Sequence, residues 1–333
     1  MKIITAGMLS LALTATIGTT SATAADTYPS KAINALVGFS AGGGTDVYAR
    51  NLGVTITKFL NDQPFVVVNK AGGAQIPAMK ILQGSKPDGY STMVVSMGSA
   101  IIATGLRDRS VDLFRDLELV AQFGVTNIMV GAAQQSGFKT PAEVITGIKK
   151  ANAGGKKLRW GSTGRASITT LAMIAWLNKH GVYEMTQDIP FKGGAKVRAA
   201  LIGNHIDFGS LGTSNMSTYK DKLNIIATFA AERDAAQPEI PTFGDLKSAY
   251  VPMATPIIVA VPKGTPQNVI DTLAAAIKKS TEDPEFKERA AKAGQSIVYR
   301  DSRELAAYAA KLKKEWGATI EVVRKRIAAS KKK

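Results

Sequence analysis

Ser40-Ala41-Gly42-Gly43-Gly44-Thr45-Asp46 places three consecutive glycines between an apolar run and a segment of helical spacing. Glycine lets a ligand approach the backbone closely, and the free N–H groups that open a helix hold a carboxylate or a phosphate. Phe191-Lys192-Gly193-Gly194-Ala195 repeats that arrangement roughly one domain later. Between them, Ser162-Thr163-Gly164-Arg165-Ala166-Ser167 offers hydroxyls, backbone donors and one fixed positive charge, and an arginine can take a carboxylate bidentately. Ser96 and Ser99 add hydroxyls at the end of a further apolar run. Each segment also has a plain reading: a structural tight turn at 40–46, an ordinary helix cap at 96–99, and solvated side chains for Arg165 and Lys192. Two glycine turns facing one another from two domains make an anion site between them.

Other chemistries fall away. Val47 stands where a dinucleotide fingerprint needs its third glycine, and no Gly-Lys-Ser/Thr follows to make a P-loop. His180 and His205 are the only histidines and lack metal spacing; with no cysteine there is no catalytic thiol and no disulfide framework. No G-x-S-x-G elbow and no nucleophile–base pair is evident. The expectation is a binding protein and not an enzyme, without cofactor or metal.

The elements that position these residues alternate. Strands are expected at Ala32–Phe39, Phe65–Val68, Thr92–Ser96, Leu119–Ala121, Ile128–Ala132, Leu158–Gly161, Ile189–Phe191, Ile206–Gly209, Asn224–Thr228 and Ile257–Val261. Helices are expected at Thr45–Leu60, Ile76–Gln83, Pro141–Ala151, Ser167–His180 and Ala195–Gly203, with two more, Pro266–Lys279 and Ser302 to about Ala328, closing the chain. The last carries Leu305, Ala309, Leu312, Trp316, Ile320, Val323 and Ile327 as one stripe, in steps of three and four. Strand, glycine loop and helix in alternation predict an α/β fold with a largely parallel sheet.

Residues 1–24 read as a cleavable signal peptide: Lys2, then an uncharged apolar stretch, then Ala22-Thr23-Ala24 before Ala25. The 333 residues carry 42 Lys/Arg against 26 Asp/Glu, a net charge of +16, which makes nucleic acid the first partner to test. The excess is local. Residues 311–333 hold nine basic residues against two acids, and 144–165 hold six against none. Basic and aromatic residues do not interleave, so these runs read as solvated faces and nucleic acid is excluded.

From Tyr28 to about Arg326 the chain resembles the Bug family, the periplasmic substrate-binding proteins of tripartite tricarboxylate transporters. The resemblance rests on Tyr28-Pro29-Ser30-Lys31, Phe39–Asp46, Val68–Gly73, Lys86-Pro87-Asp88-Gly89-Tyr90, Gly161-Ser162-Thr163-Gly164, Phe191–Gly194 through Asp207, Pro238–Thr242 and Pro262–Pro266, in that order. It implies a two-lobed flytrap fold, with residues 25–124 and 254–333 in one lobe, 125–253 in the other, and the ligand between. It also implies a carboxylate gripped by backbone N–H groups of Ala41–Gly44 and Gly193-Gly194, beside Ser162, Thr163 and Ser167; Ser40, Ser96, Ser99 and Lys192 join these as candidates from their own positions in the glycine loops and at the strand end. Arg165 stands where small or apolar residues are usual, and Val251–Pro256 lacks a usual aromatic. Both are expected near the distal end of the ligand, which suggests a dicarboxylate, aliphatic or aromatic. The implied partners are the permease subunits of such a transporter, with the protein itself a free periplasmic monomer. A ligand-dependent partner of a signalling kinase is the alternative role.

Overall fold

The computed structural model describes residues 28–106, 110–213, 219–234 and 236–330, apart from the side chains of 322, 323 and 326–330. The leader expected over 1–24 lies outside them. Three strands and three helices alternate first: β1 (Ile33–Val37), α1 (Gly44–Ile56), β2 (Phe65–Asn69), α2 (Ile76–Gln83), β3 (Ser91–Ser96) and α3 (Met97–Leu106). A 17-residue strand, β4 (Leu117–Ala133), leads into α4 (Pro141–Ala153), β5 (Leu158–Ser162), α5 (Ile168–Lys179), β6 (Thr186–Pro190), α6 (Gly194–Ile202), β7 (Phe208–Gly212) and β8 (Leu223–Thr228). The chain closes with β9 (Ala254–Pro262), α7 (Gln267–Glu282), α8 (Pro284–Lys292) and α9 (Ser302–Ser330). Among the described residues no helix is long and apolar enough to cross a membrane.

The strands join in the order β2-β1-β3-β9-β4-β7-β5-β6, with β8 also on β4. Each half has parallel pairs, β1 with β2 and β3 in one, β5 with β6 and β7 in the other. The expected largely parallel sheet needs correction at the centre, where β3–β9, β4–β9, β4–β7 and β4–β8 are all antiparallel. β4 is the shared member: Leu117–Asn127 pairs with β9, and Ile128–Ala133 pairs with β7 and β8. The two short strands expected at 119–121 and 128–132 are therefore one. Gly124 reads as a break but is a packing requirement, because a Cβ there would sit 2.3 Å from the buried Tyr48 ring. Bulges near Val120 and Phe123 bend the strand as it passes between the halves.

Helices cover both faces of the first half. Tyr48 and Leu52 of α1, Leu273 of α7 and Phe286 of α8 pack on one side. Met79 of α2, Ile102 of α3 and Trp316 of α9 pack on the other, in a core that continues through Trp176 of α5 into the second half. The stripe expected on α9 is buried from Leu305 to Ile320; the side chains of Val323 and Ile327 lie outside the described residues. Three helices close the chain, not two. Asp283 caps α8, accepting from Glu285 N at 2.8 Å, with Pro284 at the first helical position. α3 was expected only as a cap, and its eight residues from Met97 to Thr104 are buried all round.

Candidate anion site between the lobes

Four helices begin at one place. α1, α3, α5 and α6 each follow the carboxyl end of a parallel strand, where open α/β sheets hold ligands. Their first turns and β4 enclose an inner chamber of about 40 Å³. On the scale of roughly 10–15 Å³ per water, that is room for about three waters. One wall carries Gly44, Thr45, Ser96, Ser99 and Thr255, the other Thr163, Thr169, Gly194 and Gly212. Thr126 and Ile128 of β4 lie between them. Among the described residues no charged side chain lines it.

The two glycine loops touch. A Cβ on Gly193 would lie 2.6 Å from Ser40 Oγ and 3.0 Å from Ser40 N; one on Gly43 would lie 3.8 Å from Gly194 N. Gly43 and Gly193 are the N-cap residues of α1 and α6, and neither has a side chain to cap with. Among the described residues, the N–H groups of Gly44, Thr45, Asp46, Gly194 and Ala195 make no hydrogen bond. Each such helix end carries about half a positive charge. Two of them facing each other across a neutral chamber repel, and an anion between them removes the repulsion and satisfies the donors.

The first loop is held from behind. Asp46, in the first turn of α1, is buried and does not line the chamber. Its Oδ2 accepts from Gly42 N at 2.8 Å and from Arg50 Nε at 3.0 Å, and its Oδ1 accepts from Asn69 Nδ2 at 2.8 Å. Asn69 also donates to Phe39 O at 3.0 Å. The one acid beside this helix end is thus committed to fixing the turn. Ser96 is fixed by Gln75, whose Nε2 donates to Ser96 O at 2.7 Å and whose Oε1 accepts from Ser96 N at 3.3 Å. Gln75 and Ala74 hold φ values of +70° and +51°, a conformation that non-glycine residues rarely adopt outside functional turns.

Of the residues singled out in the sequence, Gly44, Ser96, Ser99, Thr163 and Gly194 line the inner chamber. Ser40, Gly43 and Gly193 form the contact between the loops, and Ser40 Oγ is buried there without a partner among the described residues. Ala41 and Gly42 sit on the exposed side of the turn. Ser162 and Ser167 face inward: Ser162 Oγ lies 2.8 Å from Thr170 Oγ1, and Ser167 caps α5. Ser99 Oγ accepts from Ile168 N at 3.3 Å and so ties α3 to α5. Thr163, Arg165 and Lys192 line a second, outer chamber of about 220 Å³. Thr255 lies in the inner chamber and Arg165 in the outer one, so the two segments expected together near a distal end are apart. Thr45 lies inside the named segment 40–46 and Thr255 inside 251–256, and Thr169 follows the segment 162–167, though none was singled out as a contact; Thr126 and Gly212 were missed, because they lie in strands with no local signal.

Asp188 of β6 lies near Arg165. Burial pushes its carboxyl above the usual range, opposed by the Arg165 charge and by Ser162. The folded protein holds this proton more tightly than the unfolded chain, so stability is lost as pH rises through the raised value. Asp188→Asn is expected to raise the urea midpoint at pH 7 and to leave it unchanged near about pH 3, where both states are neutral. A lower midpoint at pH 7 would mean that the Arg165 contact outweighs burial.

Comparison with known proteins gives a consistent picture. Residues 48–324 match the family described as "tripartite tricarboxylate transporter family receptor". The UPF0065 protein in the gbd 5' region of Cupriavidus necator is 30% identical over 299 residues, 89% of each chain. Among solved structures, MatC of Rhodopseudomonas palustris with bound malate has a TM-score of 0.79 at 20% identity, over 89% of this chain and 100% of that one. An adipate-bound protein of the same organism has a TM-score of 0.81 at 17% identity, over 89% and 98%. The fold is the two-lobed α/β fold of periplasmic binding proteins.

Proposed function

The chain belongs to the tripartite tricarboxylate transporter receptor family, and from that premise we propose that it captures a small organic dicarboxylate in the periplasm. It delivers that ligand to the membrane subunits of a tripartite transporter and performs no chemistry of its own. In this reading residues 1–24 are removed on export and the mature protein is a monomer. The lobes divide as 25–124 with 254–333, and 125–253, close to where β4 changes partners at Asn127 and Ile128.

One observation carries the proposal: two uncapped helix starts meet at the glycine loops over a chamber that contains no acid. Amide donors from both lobes take one carboxylate of the ligand there, with the hydroxyls of Ser96, Ser99, Thr126 and Thr163 around it. Among the described residues Thr126 Oγ1 is buried without a hydrogen-bond partner of good geometry. Ligand that touches both loops stabilises the closed arrangement, as in hinge closure generally. The relatives with bound malate and adipate support a carboxylate as the class of ligand.

A thermal-shift screen of mono-, di- and tricarboxylates tests this. At ligand concentrations about 100 times Kd, binding adds about 2.7 kcal/mol of stability, so a ligand produces a saturable rise in Tm. A screen without any rise, together with no organic acid released from the purified protein on denaturation, would refute the proposal.

A further inference from the structure

The outer chamber shares Phe39 and Thr163 with the inner one and opens between the turn at 72–74 and the segment 190–192. Arg165 and Lys192 both line it, and among the described residues neither forms an ion pair. Two cations on one small concavity repel each other, and an anion between them is the arrangement that relieves this. The acid whose charge acts on Arg165 is Asp188, which does not line the chamber. Its Oδ1 is buried without a hydrogen-bond partner among the described residues, and Ser162 is the other group that bears on it. One acid against two cations leaves the chamber positive.

The opposite wall adds donors. Gly73 and Ala74 hold φ values of +55° and +51°, and their N–H groups make no hydrogen bond among the described residues. A Cβ on Gly164 would lie 3.9 Å from Ala74 N, so the lack of a side chain at 164 keeps this wall open. The remaining surfaces, Phe39, Pro190 and Phe191, are apolar. They lower the local dielectric and strengthen attraction between the cations and an entering anion.

Resting on the reading that one carboxylate occupies the inner chamber, we infer that the outer chamber is a second anion subsite. It holds the far carboxylate of an α,ω-dicarboxylate whose chain passes between Phe39 and Thr163, and Arg165 is its specificity-determining residue. The receptor thereby selects for a second charge and not for chain length alone. Lys192 adds a weaker, more mobile attraction, since its ammonium is a point charge on a flexible stem.

The test uses calorimetric titration of the purified protein with straight-chain diacids of four to eight carbons and the monoacid of equal carbon number for each. The strongest-binding diacid and its monoacid are then titrated into Arg165→Ala, Arg165→Lys and Lys192→Ala. Wild type is expected to favour the diacid, and Arg165→Ala to weaken it about 30-fold while changing the monoacid less than about 3-fold. Arg165→Lys recovers part of the loss, and Lys192→Ala costs about 3-fold. The Arg165 charge offsets the burial of Asp188, so Arg165→Ala lowers the unliganded Tm somewhat, whereas Arg165→Lys, which keeps the charge, and Lys192→Ala stay near wild type. A wild type that binds diacid and monoacid alike, or an Arg165→Ala variant that loses both equally, overturns the second subsite and leaves the proposed function standing. Binding of no diacid and no monoacid, with no rise in the thermal screen, overturns the proposed function and this inference with it.

Discussion

Gly193→Val is expected to weaken ligand binding by at least about 100-fold, or 2.7 kcal/mol, with the unliganded fold intact. Even a single Cβ at 193 falls 2.6 Å from Ser40 Oγ, 3.0 Å from Ser40 N and 3.5 Å from Phe39 Cβ. Ser40 Oγ can rotate away, but Ser40 N is main chain and moves only with its loop. The lobes must then stop short of the contact that brings the amides of Gly44 and Gly194 to one chamber. A carboxylate that needs donors from both sides loses half of them. Gly193 also holds φ +158° at the start of α6, where a β-branched side chain is strained, so the Tm of the unliganded protein should fall modestly, while titration of the folded variant detects no binding. Wild-type affinity in this variant would show that the loops need not meet for capture.

The second large effect is expected at Asp46. Its carboxylate is buried and receives Gly42 N, Arg50 Nε and Asn69 Nδ2. Asp46→Ala removes all three acceptances, strips Gly42 N of its acceptor and leaves Asn69 held by Phe39 O and Arg50 alone. Loss of such a buried, charge-assisted cluster costs about 3 kcal/mol, read as a lower urea midpoint at unchanged slope. Binding should fall by about tenfold or more, because the turn that aims the α1 amides is no longer fixed. Asp46→Asn keeps one oxygen acceptor, so its loss of stability should be smaller. If Asp46→Ala loses stability but binds normally, the carboxylate supports the fold and not the aim of the loop.

Where a residue's local chemistry states its role, the sequence sufficed. Glycine runs between a strand and a helix announce an uncapped helix start, and α1 and α6 begin there. The same holds for Thr140 and Pro141, the N-cap and first helical residue of α4; Thr140 forms a capping box there with Glu143. What escaped depends on distant partners. Gly124 looks like an interruption until the Tyr48 ring, 76 positions earlier, is seen against it. α3 is buried on every side, so it shows no 3.6-residue alternation to detect. Thr126 and Gly212 reach the chamber only because β4 and β7 are neighbours in register, with Ile128 opposite Gly212. The division into inner and outer chambers is also invisible in one dimension, since Arg165 and Thr163 are two residues apart yet Arg165 faces only the outer one.

The strand order has a consequence for how the chain acquires its shape during synthesis. β3 and β4 are not neighbours: β9, at 254–262, is inserted between them. Until that segment emerges, β3 and the first part of β4 each present an unpaired edge, the kind of surface that recruits other chains. β4 to β8, in contrast, can pair with one another as soon as residue 228 is made. The second lobe is therefore positioned to mature while the first is still unfinished, and the late closure by β9 is a long-range event of the kind that slows folding. A chain stopped short of residue 254 would lack a sealed first sheet, which makes the order of arrival, and not only the final contacts, part of what this sequence encodes.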